Sequence, residues 1–435
     1  MRPSVRFVVL AGLVLALGIA AAFVGSLGPV LLVVGLGLLV VGVVDGLFLL
    51  VPRRVGFRRT IPGRFALQQP GRVGFEVVNR SVWPLKARLY DGVPEECRAE
   101  DFPQQLPRLR YRGTAESSYE IVFLKRGDLV IERAYLEYAS LFGFWWRSVR
   151  VGEDELCKVY PDYVPVLQYG LLATADRAEQ MGIVKPRIKG LSKEFHQLRD
   201  YQEGDAMSQI DWKATSRFSK LITREYQEER DQTILVVPDC SIRTRAIDGE
   251  FPILDHLLNA ALLFSYIALK QGDKVGVMNF GGGERYLAPV KGASGMSQIL
   301  NHLYDYESRG SYGDFSDLAS RVMTMQKKRA LVVVLTNLRS EDQFGSLPAL
   351  RLIAERHLLL VASVRESVVE ESLQEPVRGV EGAQRFLGAL AYEQDTTDLV
   401  AGLRGAGLTA IHEGLERYPI ALANEYLDLR FSGRW

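Results

Sequence analysis

Between Gly190 and Arg217 the chain gathers residue types that do proton chemistry. Glu194-Phe195-His196, Leu198-Arg199, Tyr201, Gly204-Asp205 and Asp211-Trp212-Lys213 set a histidine and several carboxylates among guanidiniums and large rings. An enzyme would use His196, Asp205 and Asp211 as its acid–base groups. The competing reading makes the stretch a lock of ion pairs and aromatics. Arg199 or Arg217 then clamps a carboxylate bidentately, and a neighbouring guanidinium favours the ionised carboxylate, which removes the poise a general base needs. The alternation of charges with rings favours the lock, with Gly204-Asp205 as a turn. Neither a helical nor a strand period organises the segment.

Other chemistries are bounded by what is missing. The chain has no G-x-x-x-x-G-K-[ST], no G-x-S-x-G and no H-E-x-x-H. Its three cysteines, Cys97, Cys157 and Cys240, show no C-x-x-C spacing, and the five histidines include no H-x-x-x-H. Asp239 beside Cys240 disfavours a thiolate, which argues against a nucleophilic cysteine. Lys+Arg 53 against Asp+Glu 52 leaves +1, so no charge excess points to nucleic acid.

The elements that must position these residues differ sharply along the chain. Phe7 to Val24 and Pro29 to Val51 are apolar runs of about 18 and 23 residues, each of spanning length as a helix. Asp45 is the only charge in the second, near enough to its end to reach interfacial water or a basic neighbour; the alternative is a functional acid inside the membrane. Arg2 and Arg6 precede the first run, and Arg53, Arg54, Arg58, Arg59 and Arg64 follow the second. The link between the runs has no basic residue, which places both termini in the cytoplasm. The basic flank is also a candidate contact for anionic lipid. Gly42-x-x-x-Gly46 would let the two helices approach closely.

From Val55 to Asp162, short alternating runs separated by Gly, Pro, Asn and Asp predict an antiparallel sandwich. Leu141-Phe-Gly-Phe-Trp-Trp146 near its end reads as a core plug or a domain contact. After Asp231, near-continuous apolar strands alternate with helices, which predicts a doubly wound, mostly parallel sheet. Gly281-Gly-Gly283 reads as a turn between strands. Ligands in such sheets lie beyond the carboxyl ends of the strands, here Asp239-Cys-Ser-Ile-Arg243 and Thr336-Asn337.

The motif Glu194-Phe195, Leu198-Arg199, Tyr201, Gly204-Asp205, Ile210-Asp211-Trp212-Lys213 and Arg217 resembles the signature of the domain-of-unknown-function 58 family. Phe142-Gly143 ahead of Val159-Tyr160-Pro161 resembles that family's approach to the region, and Ser208 departs from it, standing where the family more often has Arg. The resemblance implies a von Willebrand factor A-like α/β domain and a MoxR-type AAA+ ATPase as partner. It also implies a divalent-cation site of the D-x-S-x-S kind, for which Mg²⁺ suits hard oxygen ligands. Asp239 and Ser241 match that site, Ser311 or Asp314 would stand in for its threonine, and Asn337 takes the place of its last acid. Arg243 replaces its second serine, so the site is degenerate. Arg243 could instead pair with Asp239 or receive an acidic group from a partner.

The expected architecture is a membrane α-hairpin, a β-sandwich-like domain and a doubly wound, Rossmann-type, von Willebrand factor A-like domain. The segments are residues 1–54, 55–165, 166–231 for the motif, and 232–435. The expected function is a non-enzymatic scaffold or adaptor in the inner membrane, with two spans and no cofactor, working with a MoxR-type ATPase. The alternative is a metal-dependent ligand binder or hydrolase using Asp239, Ser241 and Asp314.

Overall fold

The computed structural model describes residues 1–22, 28–50, 55–81, 83–99, 102–166, 193–202, 207, 210–228 and 232–432. Two compact units emerge, Met1–Tyr160 and Pro161–Trp435.

In the first unit, β1 (Arg2–Pro3) leads into α1 (Val5–Ala22), and α2 (Gly28–Leu50) runs beside it. Ser4 Oγ caps α1 by accepting from Phe7 N at 3.3 Å. Both helices carry exposed valines and leucines along their length, among them Val8, Leu15, Val33, Leu36 and Leu39. The strands that follow are β2 (Val55–Thr60), β3 (Phe65–Ala66), β4 (Pro70–Asn79), β5 (Ala87–Gly92), β6 (Cys97–Ala99), β7 (Gln104–Gln105), β8 (Thr114–Phe123), β9 (Gly127–Ala139), β10 (Trp145–Val151) and β11 (Glu155–Tyr160). One sheet runs β2-β4-β8-β6; the other runs β1-β10-β9-β11-β3, with β5 on β9 and β7 on β5. Alternate residues such as Val73, Phe75 and Val77 on β4 are buried, the pattern of a sheet with one face in a core.

Arg59 on β2 joins the two sheets. Its guanidinium pairs with Asp91 on β5 and donates to the carbonyls of Ile131, Glu132 and Glu153. Tyr119 on β8 donates to the same carboxylate at 2.7 Å. Arg59 is therefore a buried tie rather than a lipid-facing flank. Arg58 is exposed, whereas Arg53 and Arg54 lie outside the described residues.

Asp45 also departs from the expectation that it meets water or a basic neighbour. It is fully buried. Its carboxylate accepts from Ser140 Oγ at 2.5 Å, Phe142 N at 3.0 Å and Phe144 N at 3.2 Å. Around this point the aromatic run at 141–146 wraps the hairpin. Trp145 Nε1 donates to the Gly42 carbonyl at 2.8 Å, and Phe7 stacks obliquely on Phe144 and Trp145. A Cβ on Gly42 would lie 2.8 Å from the Phe7 ring, and one on Gly46 3.4 Å from the Trp145 indole. Phe7 belongs to α1, so Gly42 does allow the two helices to approach, as Gly35 does opposite Val14, whereas Gly46 admits the Trp145 ring instead.

The second unit opens with a hairpin of β12 (Lys193–Asp200) and β13 (Ile222–Glu228), which bracket the helix Trp212–Phe218. Strands were not expected here. The pair forms a two-stranded sheet of its own, and its register shifts between Phe195 and Gln197, which interrupts a period of two in the sequence. Then come β14 (Thr233–Pro238), the short pair β15 (Ile247–Asp248) and β16 (Phe251–Pro252), β17 (Lys274–Met278), β18 (Tyr286–Val290), β19 (Leu331–Thr336), β20 (Leu358–Arg365) and β21 (Thr409–Gly414). The main sheet is ordered β18-β17-β14-β19-β20-β21, parallel throughout except for β18. Gly281 and Gly282, both at positive φ, form the turn between β17 and β18.

Because β14 is first in sequence and central in space, the chain winds to one side of it and then to the other. Leu235, Val237, Val332, Val334, Leu359 and Val361 face the helices Phe315–Met325, Gln343–Ala354 and Gly379–Gly405. The helix Ile253–Lys270 packs on β14 and β17 together with the helix Tyr418–Phe431. It is long and apolar enough to cross a bilayer, but 72% of it is buried as a core helix. The shorter apolar windows are Val5–Ile19, Val33–Leu49 and Gly345–Ala354.

Candidate functional site

The wholly buried run Ile234–Val237 carries β14 to Asp239 at its carboxyl end. The adjacent β19 ends at Thr336. At this point the strand order diverges, which is where open α/β sheets form a ligand crevice. Asp239, Ser241 and Thr336 are completely buried there. Asp239 Oδ1 accepts from Ser241 N at 2.8 Å, and Oδ2 accepts from Thr336 Oγ1 at 2.6 Å.

Arg243 fills the remaining space. Its Nε donates to Asp342 at 3.0 Å and its Nη2 at 2.5 Å, while Nη1 donates to Ser241 Oγ at 3.1 Å and Nη2 also to the Gly313 carbonyl at 2.9 Å. Nη1 lies 3.7 Å from Asp239. Phe280 and Phe315 flank the guanidinium with centroids 5.7 and 5.1 Å away. Gly313 is required at this spot, since a Cβ would lie 2.8 Å from Phe280 and 3.0 Å from Arg243 Nη1. Burial pushes the Asp239 carboxyl up from its ordinary value, against the pull of its hydrogen bonds and of Arg243.

These residues do not fit a divalent cation. Such an ion takes six or more oxygen ligands with free lone pairs. Here both Asp239 oxygens and Ser241 Oγ already accept hydrogen bonds, and a guanidinium lies among them. Asp314, named from sequence as a ligand, caps the helix Phe315–Met325 by accepting from Ser316 N at 2.8 Å. The Ser311 carbonyl accepts from Ile242 N, and Asn337 donates to Glu366 at 2.6 Å. Among the described residues no group of three His, Cys, Asp or Glu could hold a metal. Sequence reasoning missed Asp342, the main partner of Arg243, because it lies 99 residues away in a 3-10 turn with no local signal.

A second polar cluster, also missed, closes the ends of β20 and β21. His412 Nδ1 lies 3.1 Å from Ser363 Oγ and Nε2 lies 3.6 Å from Glu393, which pairs with Arg365 at 3.0 Å. Burial pushes His412 below its ordinary value, and Glu393 opposes that shift.

The motif of the hairpin module is organised by Asp211. It caps the helix Trp212–Phe218, accepting from Lys213 N and Ala214 N at 3.0 Å each, and also accepts from Arg224 Nε at 2.8 Å. The Ala214 N–H first and then Arg224 hold its carboxyl below the usual carboxylate range. That is the condition of a structural acid, not of the general base an enzyme reading required. Arg199 Nη1 donates to the Asp200 carbonyl at 3.2 Å, and Tyr201 N donates to the Leu221 carbonyl. Trp212 is 65% exposed and Phe218 57%, with Arg217 exposed between them. Glu194, Phe195 and His196 lie on β12. Gly204, Asp205 and Ser208 fall outside the described residues.

Fold and site together define an α/β unit whose sheet-end crevice is closed by an internal guanidinium and which carries a small exposed β-hairpin module. Residues 197–378, spanning most of that module and the sheet through β20, match the family described as Protein of unknown function DUF58. The chain is 22% identical over 196 residues, 44% of its length, to "Uncharacterized protein YeaD" of Bacillus subtilis (strain 168), and the match spans 46% of that protein. Among solved structures, proximal thread matrix protein 1 from the mussel byssus is 11% identical at a TM-score of 0.28, covering 48% of this chain and 49% of that one. Native alpha-2-macroglobulin from Escherichia coli is 14% identical at 0.22, covering 25% of this chain and 17% of that one. Neither structural likeness carries a functional argument.

Proposed function

We propose that this protein is a membrane-anchored, non-enzymatic scaffold, with the α1–α2 hairpin as a two-span anchor and the soluble units on the cytoplasmic side. The hairpin reading is supported by the exposed valines and leucines along both helices and by the basic residues that flank them. The α/β unit is read as von Willebrand factor A-like, with its cation replaced by Arg243. One observation carries the functional reading: the acids of the sheet-end crevice are occupied by a buried arginine, while the hairpin module exposes Trp212, Phe218 and Arg217. Tryptophan and arginine are the residues that most often anchor protein interfaces. The module is therefore a docking surface for a protein partner, and the family resemblance makes that partner a MoxR-type AAA+ ATPase, which would supply the nucleotide chemistry.

The test is affinity capture of the full-length protein from membranes, with and without ATP. Recovery of an AAA+ ATPase, reduced by Trp212→Ala and by Arg217→Ala, is the expected result. Failure to recover one under both conditions would sink the proposal.

A further inference from the structure

The contacts between the hairpin and the β-sheets of the first unit lie unexpectedly high on the helices. Trp145 reaches the Gly42 carbonyl, and Phe142 and Phe144 reach Asp45. Gly42 is eight residues, about 12 Å of helix, before the end of α2 at Leu50. The part of α2 clear of this collar, from Gly28 to Val41, is about 14 residues or roughly 21 Å long. The hydrocarbon core of a bilayer is about 30 Å thick. Those helical residues alone fall short of it by roughly 9 Å, close to the depth of about 5–10 Å at which amphipathic elements insert.

The collar has the chemistry for that depth. Phe142 is 58% exposed, Leu141 is exposed, and exposed Trp83 packs against Phe48 of α2 at 6.0 Å. Arginines stand beside these rings: Arg88 lies over Trp146 at 4.6 Å, and Arg147 donates to the Leu49 carbonyl. Aromatic rings with adjoining basic groups are the composition of a membrane interface. Irregular backbone is tolerated at such depth only where its polar groups are satisfied internally. Ser140 N donates to the Trp145 carbonyl, Gly143 N to the Ser140 carbonyl and Trp145 N to Ser140 Oγ, while Phe142 N and Phe144 N go to Asp45. The Phe144 carbonyl accepts from Ser4 N.

We infer that the loop Leu141–Trp145 is immersed in the bilayer, seated at the boundary between headgroups and acyl chains beside the hairpin. Asp45 is then an acid inside the membrane whose carboxyl oxygens are hydrogen-bonded by the loop it holds. The inference rests on the hairpin spanning the membrane, and the experiment separates the two.

The full chain, carrying Cys97→Ser to remove its half-buried thiol, is reconstituted in vesicles of phosphatidylethanolamine and phosphatidylglycerol. Single nitroxide labels are placed at Leu36→Cys, Phe142→Cys and Glu120→Cys, the last an exposed position on β8. Collision with oxygen, which concentrates in lipid, is compared with collision with a water-soluble nickel chelate. Labels at 36 and 142 should both favour oxygen, with nickel access at 142 at least severalfold below that at 120. Lipid exposure at 36 with nickel access at 142 equal to that at 120 overturns the immersed collar and leaves the anchor standing. Nickel access at 36 overturns both. A label at 142 shielded from both reagents indicates a protein neighbour, a second copy of the chain, and also overturns the inference.

Discussion

Two sites, one in each unit, bury carboxylates in opposite ways. Asp45 is surrounded by neutral donors, one hydroxyl and two backbone N–H groups. Asp239 and Asp342 share a guanidinium, with neutral donors in support. Neutral donors placed by a short loop fix the carboxylate by geometry, so the junction depends on shape. The guanidinium crevice depends on charge balance, because an unpaired ion in an apolar interior is far costlier than an imperfect hydrogen bond. The difference matches what each place joins: a helix to one loop in the first unit, and three separate segments, around Asp239, Gly313 and Asp342, in the second.

The comparison predicts its largest effect at Arg243. Arg243→Met strands Asp342 and Asp239 without their cation. Breaking a buried pair by removing one partner costs about 3–5 kcal/mol, measurable as a lowered denaturant midpoint for the second unit. Arg243→Lys keeps the charge but loses the planar fork that reaches Asp342, Ser241 and Gly313 together, and should recover only part of that loss. If methionine is tolerated within about 1 kcal/mol, the crevice is held by packing and the contrast between the Asp45 and Arg243 sites collapses. A smaller effect is expected at Asp45→Asn. The amide keeps the shape and one acceptor oxygen, and it leaves at least one of the three donors unsatisfied, at roughly 1–3 kcal/mol. Its signature is local: faster proteolysis and amide exchange at residues 140–146, with the second unit unchanged.

How much of this could be read from sequence follows the same division between local and distant causes. The buried strands β14, β19 and β20 announce themselves as continuous apolar runs between turn residues, and Asp239 is found simply as the residue where the first of them ends. Apolar length likewise marks both helices of the hairpin. Asp342 and the Ser140 loop could not be found that way. Each is defined by a partner 99 or 95 residues distant, and nothing within a few positions of either residue encodes the pairing. The β12–β13 hairpin was illegible for another reason: it is a short pair outside the main sheet whose register shifts between Phe195 and Gln197, which interrupts the period of two. Arg59 misled because a basic residue after an apolar run carries the same local pattern whether it meets lipid or Asp91. The degenerate cation site was legible in part. Arg243 in place of a serine announces a problem for a metal, but only the structure shows the guanidinium itself filling the crevice.

The smallest effect sharpens the contrast between buried and exposed acids, and it is one of sign. Burial raises the Asp239 carboxyl, so the native state binds that proton more tightly than the unfolded chain does. Stability from this group therefore falls as pH rises from the ordinary aspartate range through its raised native value. Asp239→Asn removes the titration. Relative to wild type the variant should look best at neutral pH and lose that relative advantage as the solution is acidified. Asp211 runs the other way. Its carboxyl is lowered by the Ala214 N–H and by Arg224, so its contribution is present above the ordinary range and is lost as pH falls through its native value. Asp211→Asn should accordingly show little pH dependence in amide protection, exchange corrected for its intrinsic rate, across Lys213–Arg217, where wild type frays in acid. Wild type minus variant, denaturant midpoints for the Asp239 pair and protection factors for the Asp211 pair, taken over the same pH series, must slope in opposite directions. Parallel slopes would mean that Arg243 outweighs burial at Asp239, making the buried crevice electrostatically equivalent to an exposed helix cap.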